Sequence, residues 1–249
     1  MEAFYIALMT FPMGIVGSLL GVGGGTFLGP LLMIGLGLSA QEAAPISLAC
    51  ALSTGIGGAL GLSLEAKILK KSIPLQLAAL LGVGIFAPMA YAMKTKSIMI
   101  LFGVFIVAIA YTNLHARVED ADHHDEGIRN IRPMLSALLA GACSGLFGIG
   151  GGIVLVPALR ILSKIPLKEA VQISLLVLVS TSLFGLFVHS AYQSVAWNLV
   201  GISALATFPA GIIGRRIRLK VHQKYLHHAF SVFAVCMALI IFSKAALFS

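Results

Sequence analysis

The amino-acid sequence predicts an all-α polytopic membrane protein. It is read as two inverted-topology repeats, each with a glycine-broken or re-entrant helix plus about three spanning helices. Three observations predict this. The 249 residues are 59% hydrophobic and only 10% charged. Their apolar runs are long enough to cross a bilayer. The second half of the chain also repeats motifs of the first in register.

A soluble domain carries about 25% charged residues. A surface with so few charges is poorly solvated by water, so the expected solvent is lipid. Apolar runs occupy 3–38, 43–64, 73–93, 97–114, 134–162, 169–192, 197–214 and 225–248. About 20 apolar residues suffice for one helical crossing. The net charge of +8 would suit nucleic acid. The basic residues lie in short loops between the runs, though, so topology explains them and no nucleic-acid partner is expected. The start, Met1-Glu2, leads straight into apolar sequence without a basic leader, so the first run reads as a retained membrane segment. Cys50, Cys143 and Cys236 stand singly in apolar runs. They suggest packing rather than a disulfide or a zinc site. No metal or cofactor is expected.

The chain divides into a first membrane repeat at 1–114, a linker at 115–132 and a second membrane repeat at 133–249. The linker holds Glu119, Asp120, Asp122, His123, His124, Asp125 and Glu126. It reads as a solvated loop rather than a metal site.

The duplication is visible at a single offset. Gly21-Val22-Gly23-Gly24-Gly25 matches Gly148-Ile149-Gly150-Gly151-Gly152, which is 148 − 21 = 127 residues later. Without a gap, the same offset pairs Gly14 with Gly141, Pro30 with Pro157, and Glu42-Ala43 with Glu169-Ala170. It also pairs Ile46-Ser47-Leu48 with Ile173-Ser174-Leu175, Ser53-Thr54 with Ser180-Thr181, and Gly58 with Gly185. Polar residues and prolines in register do not follow from hydrophobic composition alone.

Run 3–38 would form a helix of about 54 Å, against a hydrocarbon core of about 30 Å. Its glycines break it near the middle. Either it crosses once, broken and tilted, or it turns back. Charge decides. With eight single crossings, Lys and Arg divide 10 against 7. If both glycine runs return, only Lys94, Lys96 and Lys244 lie on one side, and the other 14 share the opposite one. Cytoplasmic loops are rich in Lys and Arg, so returning runs are preferred. Pairs of short crossings give the same parity. Both termini are then expected outside, with 115–132 and 215–224 cytoplasmic.

The chemistry is expected at the glycines. They permit positive φ and close approach to the backbone. Each cluster is followed by Pro30 or Pro157, and proline is tolerated in a helix's first turn. Each motif thus reads as a turn and then a helix N-terminus, which attracts anions through free amides and the dipole. The candidate substrate-binding residues are Gly23, Gly24, Gly25 and Thr26, with Gly150, Gly151, Gly152 and Ile153 in the second half. The bland alternative is close helix packing. A dinucleotide fingerprint has no βαβ context here. Ser47, Thr54 and Gly58 share a helix face, repeated by Ser174, Thr181 and Gly185. Their hydroxyls either reach an anion or bond back to carbonyls one turn earlier. Ser53 and Ser180 are weaker candidates. Gln172 replaces Pro45 and is a candidate for selectivity. His189, near the outer end of its run, reads as interfacial packing. Glu42 and Glu169 open their helices and read as caps. No carboxylate sits at a run centre, so no coupling residue is named.

The doubled Gly-x-Gly-Gly-Gly-x-x-x-x-Pro pattern, at Gly21–Pro30 and Gly148–Pro157, resembles the TauE/SafE sulfite exporter family. The stretch Phe208-Pro209-Ala210-Gly211-Ile212-Ile213-Gly214-Arg215-Arg216 resembles that family's Pro-Gly-rich segment before a basic loop, although Ala87-Pro88-Met89-Ala90 departs from it in the first half. The resemblance covers nearly the whole chain except the acidic linker. It implies a permease of the bacterial inner membrane for sulfite, sulfonates or related organosulfur anions. The expected partners are a small anionic solute and membrane lipid. A homo-oligomer stays open, and so does the coupling ion, proton or sodium. The alternatives are an accessory subunit of a larger complex, a permease for an unrelated solute or a cation, and a membrane enzyme. The last lacks paired carboxylates, a Ser/His/Asp set and metal-ligand spacing in the apolar runs.

Overall fold

The computed structural model describes residues 2–60, 66–115, 131–163 and 165–221, together with 235, 239 and 241. Cys236, most of linker 115–132 and nearly all of run 225–248 lie outside the described residues. Among the described residues there are nine helices and no strand. They are α1 (Glu2–Leu20), α2 (Gly25–Gly35), α3 (Ala40–Ala59), α4 (Ala66–Ala92), α5 (Thr95–His115), α6 (Ile131–Phe147), α7 (Gly152–Ser163), α8 (Leu167–Tyr192) and α9 (Trp197–Arg218). Three helical stretches are long and apolar enough to cross a membrane: Ala66–Ala92, Glu169–Tyr192 and Trp197–Arg218. On α4, Leu77, Leu81, Ile85 and Met89 recur at helical spacing and are all about half exposed or more. A helix that turns such a stripe outward is suited to lipid.

The offset of 127 carries helix boundaries as well as motifs. It takes the end of α1 at Leu20 to the end of α6 at Phe147. It takes the starts of α2 and α3, Gly25 and Ala40, to those of α7 and α8, Gly152 and Leu167. Local chemistry sets these ends. Ser39 caps α3, with its hydroxyl and amide both bound to the Glu42 carboxylate, which they hold below the usual carboxylate range. Glu169 does not cap α8. It reaches Lys71 of α4 instead, at 2.8 Å, and ties the halves together. Pro30 and Pro157 also differ from expectation, being the sixth residues of α2 and α7 rather than first-turn residues.

Contacts fix the helix directions. Let the upper end be where α3 starts. There Gln193, just after α8, donates from Nε2 to the Gln41 carbonyl at 2.6 Å. Further down, Gly185 meets Leu48, Gly55 meets Leu178 and Val179, and Gly58 meets Leu175. Helices α3 and α8 are therefore antiparallel along their lengths. Helix α4 starts low, at the Lys71–Glu169 pair, and ends high, where Gln41 donates to the Ala90 and Met93 carbonyls. It runs parallel to α6, with Gly141 against Ala79 and Gly145 against Val83 and Ala87. Shifted by 127, this is the α9–α1 interface, where Gly14 meets Ala210 and Gly214 meets Ile15 and Ser18. Small residues let these backbones touch, as is common where lipid provides no hydrophobic drive for helix association.

Both glycine runs turn back. In the first, Met9 lies beside Gly35, and Gly14 and Gly17 lie beside Gly24, so α2 is antiparallel to α1. Its apex stops short of the lower end. Gly25 packs on Ala51, eleven residues into α3, or about 16 Å at 1.5 Å per residue. In the second, α6 rises from the lower end and α7 descends to the start of α8, burying Leu155 and Leu159 with Ala137 and Ala140. Every described Lys or Arg except Lys94 and Lys96 belongs to the lower end. Around the apices the core contains Phe27, Leu28, Leu48, Phe147, Ile149 and Ile153, all buried.

Candidate functional site

The two apices meet at the centre of the molecule. Helix α1 ends in a Schellman motif. The Val22 amide donates to the Gly17 carbonyl at 3.0 Å and the Gly21 amide to Ser18 at 3.2 Å, with Gly21 at φ +74°. Helix α6 ends in the simpler αL motif. The Gly148 amide donates to the Ser144 carbonyl at 2.9 Å, with Gly148 at φ +68°. Gly23 and Gly150 also have positive φ, as does Gly151. Helices α2 and α7 then start at Gly25 and Gly152, and α2 has no side-chain cap at Gly24.

The glycines are also places of close approach. A Cβ on Gly25 would run into the Ser47 carbonyl oxygen. One on Gly152 would lie 2.7 Å from the Val22 carbonyl oxygen, so the two turns touch. A Cβ on Gly24 would stand 2.7 Å from Cys50 Sγ, and one on Gly151 would stand 2.6 Å from the Ala140 carbonyl oxygen. Packing alone thus requires glycine at these four positions. Each apex also rests on the other half's long helix. Gly21 meets Val171 of α8, and Gly148 meets Ala44 of α3, the residue 127 positions earlier. Gly23 and Gly150 both press on one side chain, Leu178, which stands between the turns.

The candidate hydroxyls divide by half. Thr26 donates to the Val22 carbonyl at 3.3 Å. Ser47 donates across the halves to the Gly148 carbonyl at 2.6 Å and also to Ala44. Thr54 accepts the Gly24 amide at 3.0 Å and donates to the Cys50 carbonyl at 2.6 Å. Thr181 donates to the carbonyls of Gly150 and Val177. Ser180 turns to Gln76 Oε1 and the Leu176 carbonyl, and Ser53 is buried. Ser174 is buried, yet its hydroxyl has no partner. Ile153 is a buried apolar core residue. Gln172 is buried in α8 but makes no hydrogen bond to either turn.

Five residues the sequence reading missed stand at or near the two hairpins. Ala51 and Leu178 are offset mates, and only the second is large. Ser182 is buried without a hydroxyl partner, and its Oγ lies 2.8 Å from where a Cβ on Gly150 would be. Arg218 donates from Nη1 to the Ser18 carbonyl at 3.3 Å, beside Gly21. Tyr91, the offset mate of Arg218, bonds to His189 at 2.7 Å. His189 lies one turn before Gln193, whose side chain bonds Gln41 at the upper end. It is fully buried between the halves. Extending the offset comparison along the full length of both halves would have exposed the 51/178 and 91/218 pairs. Among the described residues no cluster of His, Cys, Asp or Glu is suited to a metal ion.

Comparison with known proteins places this architecture. A probable membrane transporter protein of Xylella fastidiosa is 27% identical over 236 residues, covering 91% of this chain and 90% of the relative. The probable membrane transporter protein MJ0441 of Methanocaldococcus jannaschii is 29% identical, covering 88% and 86%. Sulfite exporter TauE/SafE family protein 1 of Arabidopsis thaliana is 38% identical over 104 residues, or 40% of this chain and 22% of the relative. No solved structure matches. The sequence profile described as Sulfite exporter TauE/SafE matches residues 6–241. With nearly the whole chain matched and its relatives named as transporters rather than enzymes, the protein belongs to the TauE/SafE family of membrane transporters.

Proposed function

We propose that the protein carries a small oxyanion, namely sulfite, a sulfonate or a related organosulfur anion, by alternating access between two inverted repeats of a bacterial inner membrane. The observation that carries this is the meeting of the two glycine turns, with Gly23 and Gly150 both against Leu178 and Gly152 against Val22, immediately before or at the starts of the helices at Gly25 and Gly152. Helices α2 and α7 leave that point toward opposite ends, so both direct their amide ends inward, where an anion is favoured. Antiparallel packing of the offset mates α3 and α8 supports the inverted reading. The basic lower end supports a cytoplasmic location for 115–132 and 215–224. With Leu178 between the apices, the closed packing corresponds to an occluded state. One half rocking against the other would part Gly23 from Gly150 and admit the anion to the amides and to Ser174.

The test is flux of sulfite and small sulfonates into liposomes containing the purified protein, with Gly24→Val and Gly151→Val as controls. Wild type is expected to transport and both variants to lose it. Because packing also requires these glycines, anion-dependent thermal stabilisation of the wild type is measured alongside. Flux that survives both substitutions removes the proposed seat. Failure of every anion to stabilise or cross removes the carrier reading itself.

A further inference from the structure

We propose that His189 is a proton-binding site that couples proton movement to anion movement; the inference rests on the carrier reading above. His189 is the one buried imidazole, carboxyl or amine among the described residues, at 0% exposure. Buried ionisable groups in membrane spans are costly and mark function by default. Geometry supplies the rest. Nδ1 lies 2.7 Å from the hydroxyl of Tyr91, on the other half, and that hydroxyl lies 3.4 Å from the His189 carbonyl. When Tyr91 donates to this carbonyl, Nδ1 carries the ring hydrogen and donates to Tyr91. Nε2 then holds a lone pair. Nε2 is buried without a partner, and the Gly145 backbone lies beside the ring.

The helix ends explain why the Gly145 carbonyl takes no turn amide. In α1 the Schellman motif uses the Ser18 carbonyl, which takes the Gly21 amide and Arg218. The offset mate of Ser18 is Gly145. The αL motif that ends α6 uses only the Ser144 carbonyl and brings no turn amide to Gly145. One apex is thus served by a permanent cation and the other by a titratable base. A proton taken from the aqueous phase adds to the Nε2 lone pair without breaking any bond. The new N–H donates to the Gly145 carbonyl, and the imidazolium sits at the C-terminal turn of α6, where the dipole favours a cation. That charge lies just before the Gly148–Gly152 turn, so it favours an anion there. By linkage the anion equally favours the proton.

The groups around the ring compete little for this role. Helix α4 brings Tyr91, which stacks on Tyr192 of α8 at 5.3 Å. Helix α3 brings Glu42, whose carboxylate is held by Ser39. Helix α6 brings the half-buried Cys143, and α7 brings Arg160 only toward the lower end. Lys94 and Lys96 are exposed at the upper end.

The experiment loads liposomes with a pH-sensitive dye and offers methanesulfonate, which stays ionised and carries no proton itself, beside sulfite. Wild type is expected to acidify the interior as anion enters. With one proton per monovalent anion and the membrane potential clamped, accumulation rises about tenfold per unit of inward pH gradient. In His189→Gln that ratio is expected to fall to about one, whatever the absolute rate. Tyr91→Phe is expected to move the pH midpoint while keeping coupling. Wild-type flux without proton entry overturns the proposal, and so does a His189→Gln variant with the wild-type ratio. If no anion crosses, the carrier reading fails, but the proton site is still tested. The pH profile of thermal unfolding should then differ between wild type and His189→Gln, and identical profiles overturn it.

Discussion

The two glycine hairpins share a frame but spend their polar groups differently. At the first apex nearly everything is satisfied internally. The Schellman motif, the Thr54 hydroxyl on the Gly24 amide and Arg218 on the Ser18 carbonyl close it off. In the second half of the chain, Ser144, Ser174, Ser182 and His189 Nε2 are buried without partners. Buried polar groups are rarely left so. At the offset of 127 the two hairpins are unequal, with Ala51 against Leu178 and Tyr91 against Arg218. The comparison teaches that similar frames can differ in how many of their buried polar groups are paired, and the unpaired ones lie in the second half.

The sharpest way to break this comparison is to fill both apices. Gly25→Val and Gly152→Val each push side-chain atoms into a backbone carbonyl, of Ser47 and Val22 respectively. Backbone cannot rotate away as a side chain can, so each should cost at least about 3 kcal/mol, the upper part of the overpacking range. Recovery of monodisperse protein on size exclusion should collapse for both. A variant that stays monodisperse and thermally normal would show that the apex has room that its closed geometry denies.

A smaller effect separates the apices by backbone conformation. Gly24 has φ −66°, open to any residue, whereas Gly151 has φ +77°. Gly151→Ala should therefore cost about 1–2 kcal/mol more than Gly24→Ala, the price of the left-handed region for a residue with a Cβ. Thermal unfolding in detergent reads the difference. Equal losses would mean that crowding alone selects glycine at 151.

Much of this was legible in the sequence because it is carried by residue type. Glycine at 21, 23, 148 and 150 announces turns that other residues resist, and Ser39 with Glu42 announces the start of α3. The charge bias separated returning runs from single crossings, and the hairpins agree. What stayed hidden depends on tertiary neighbours. Nothing local shows that Glu169 faces Lys71 and leaves the cap, or that His189 lies buried against Tyr91. Leu178 looks like any membrane leucine until both apices close on it. The prolines locate α2 and α7 but not their first turns, because membrane helices tolerate interior proline where neighbours or local adjustments satisfy the freed carbonyl, and each of these helices holds one in its second turn.

The finest test compares two serines that the duplication made equivalent. Ser47 donates to the Gly148 carbonyl at 2.6 Å, whereas Ser174 donates to nothing. Ser47→Ala removes a bond that joins the halves and should cost between about 0.6 kcal/mol, the average for hydrogen bonds between membrane helices in double-mutant cycles, and about 1.7 kcal/mol, the maximum. Ser174→Ala removes a buried hydroxyl that gains nothing in the closed state. Its stability should change by less than about 0.5 kcal/mol, or rise, since an unsatisfied polar group is a cost. Ligand stabilisation should order the pair the other way. The thermal shift caused by sulfite should shrink in Ser174→Ala and persist in Ser47→Ala. If Ser174→Ala is destabilised as much as Ser47→Ala, or if its sulfite shift is intact, then the unpaired hydroxyl is as structural as the paired one and the inequality between the two serines carries no function.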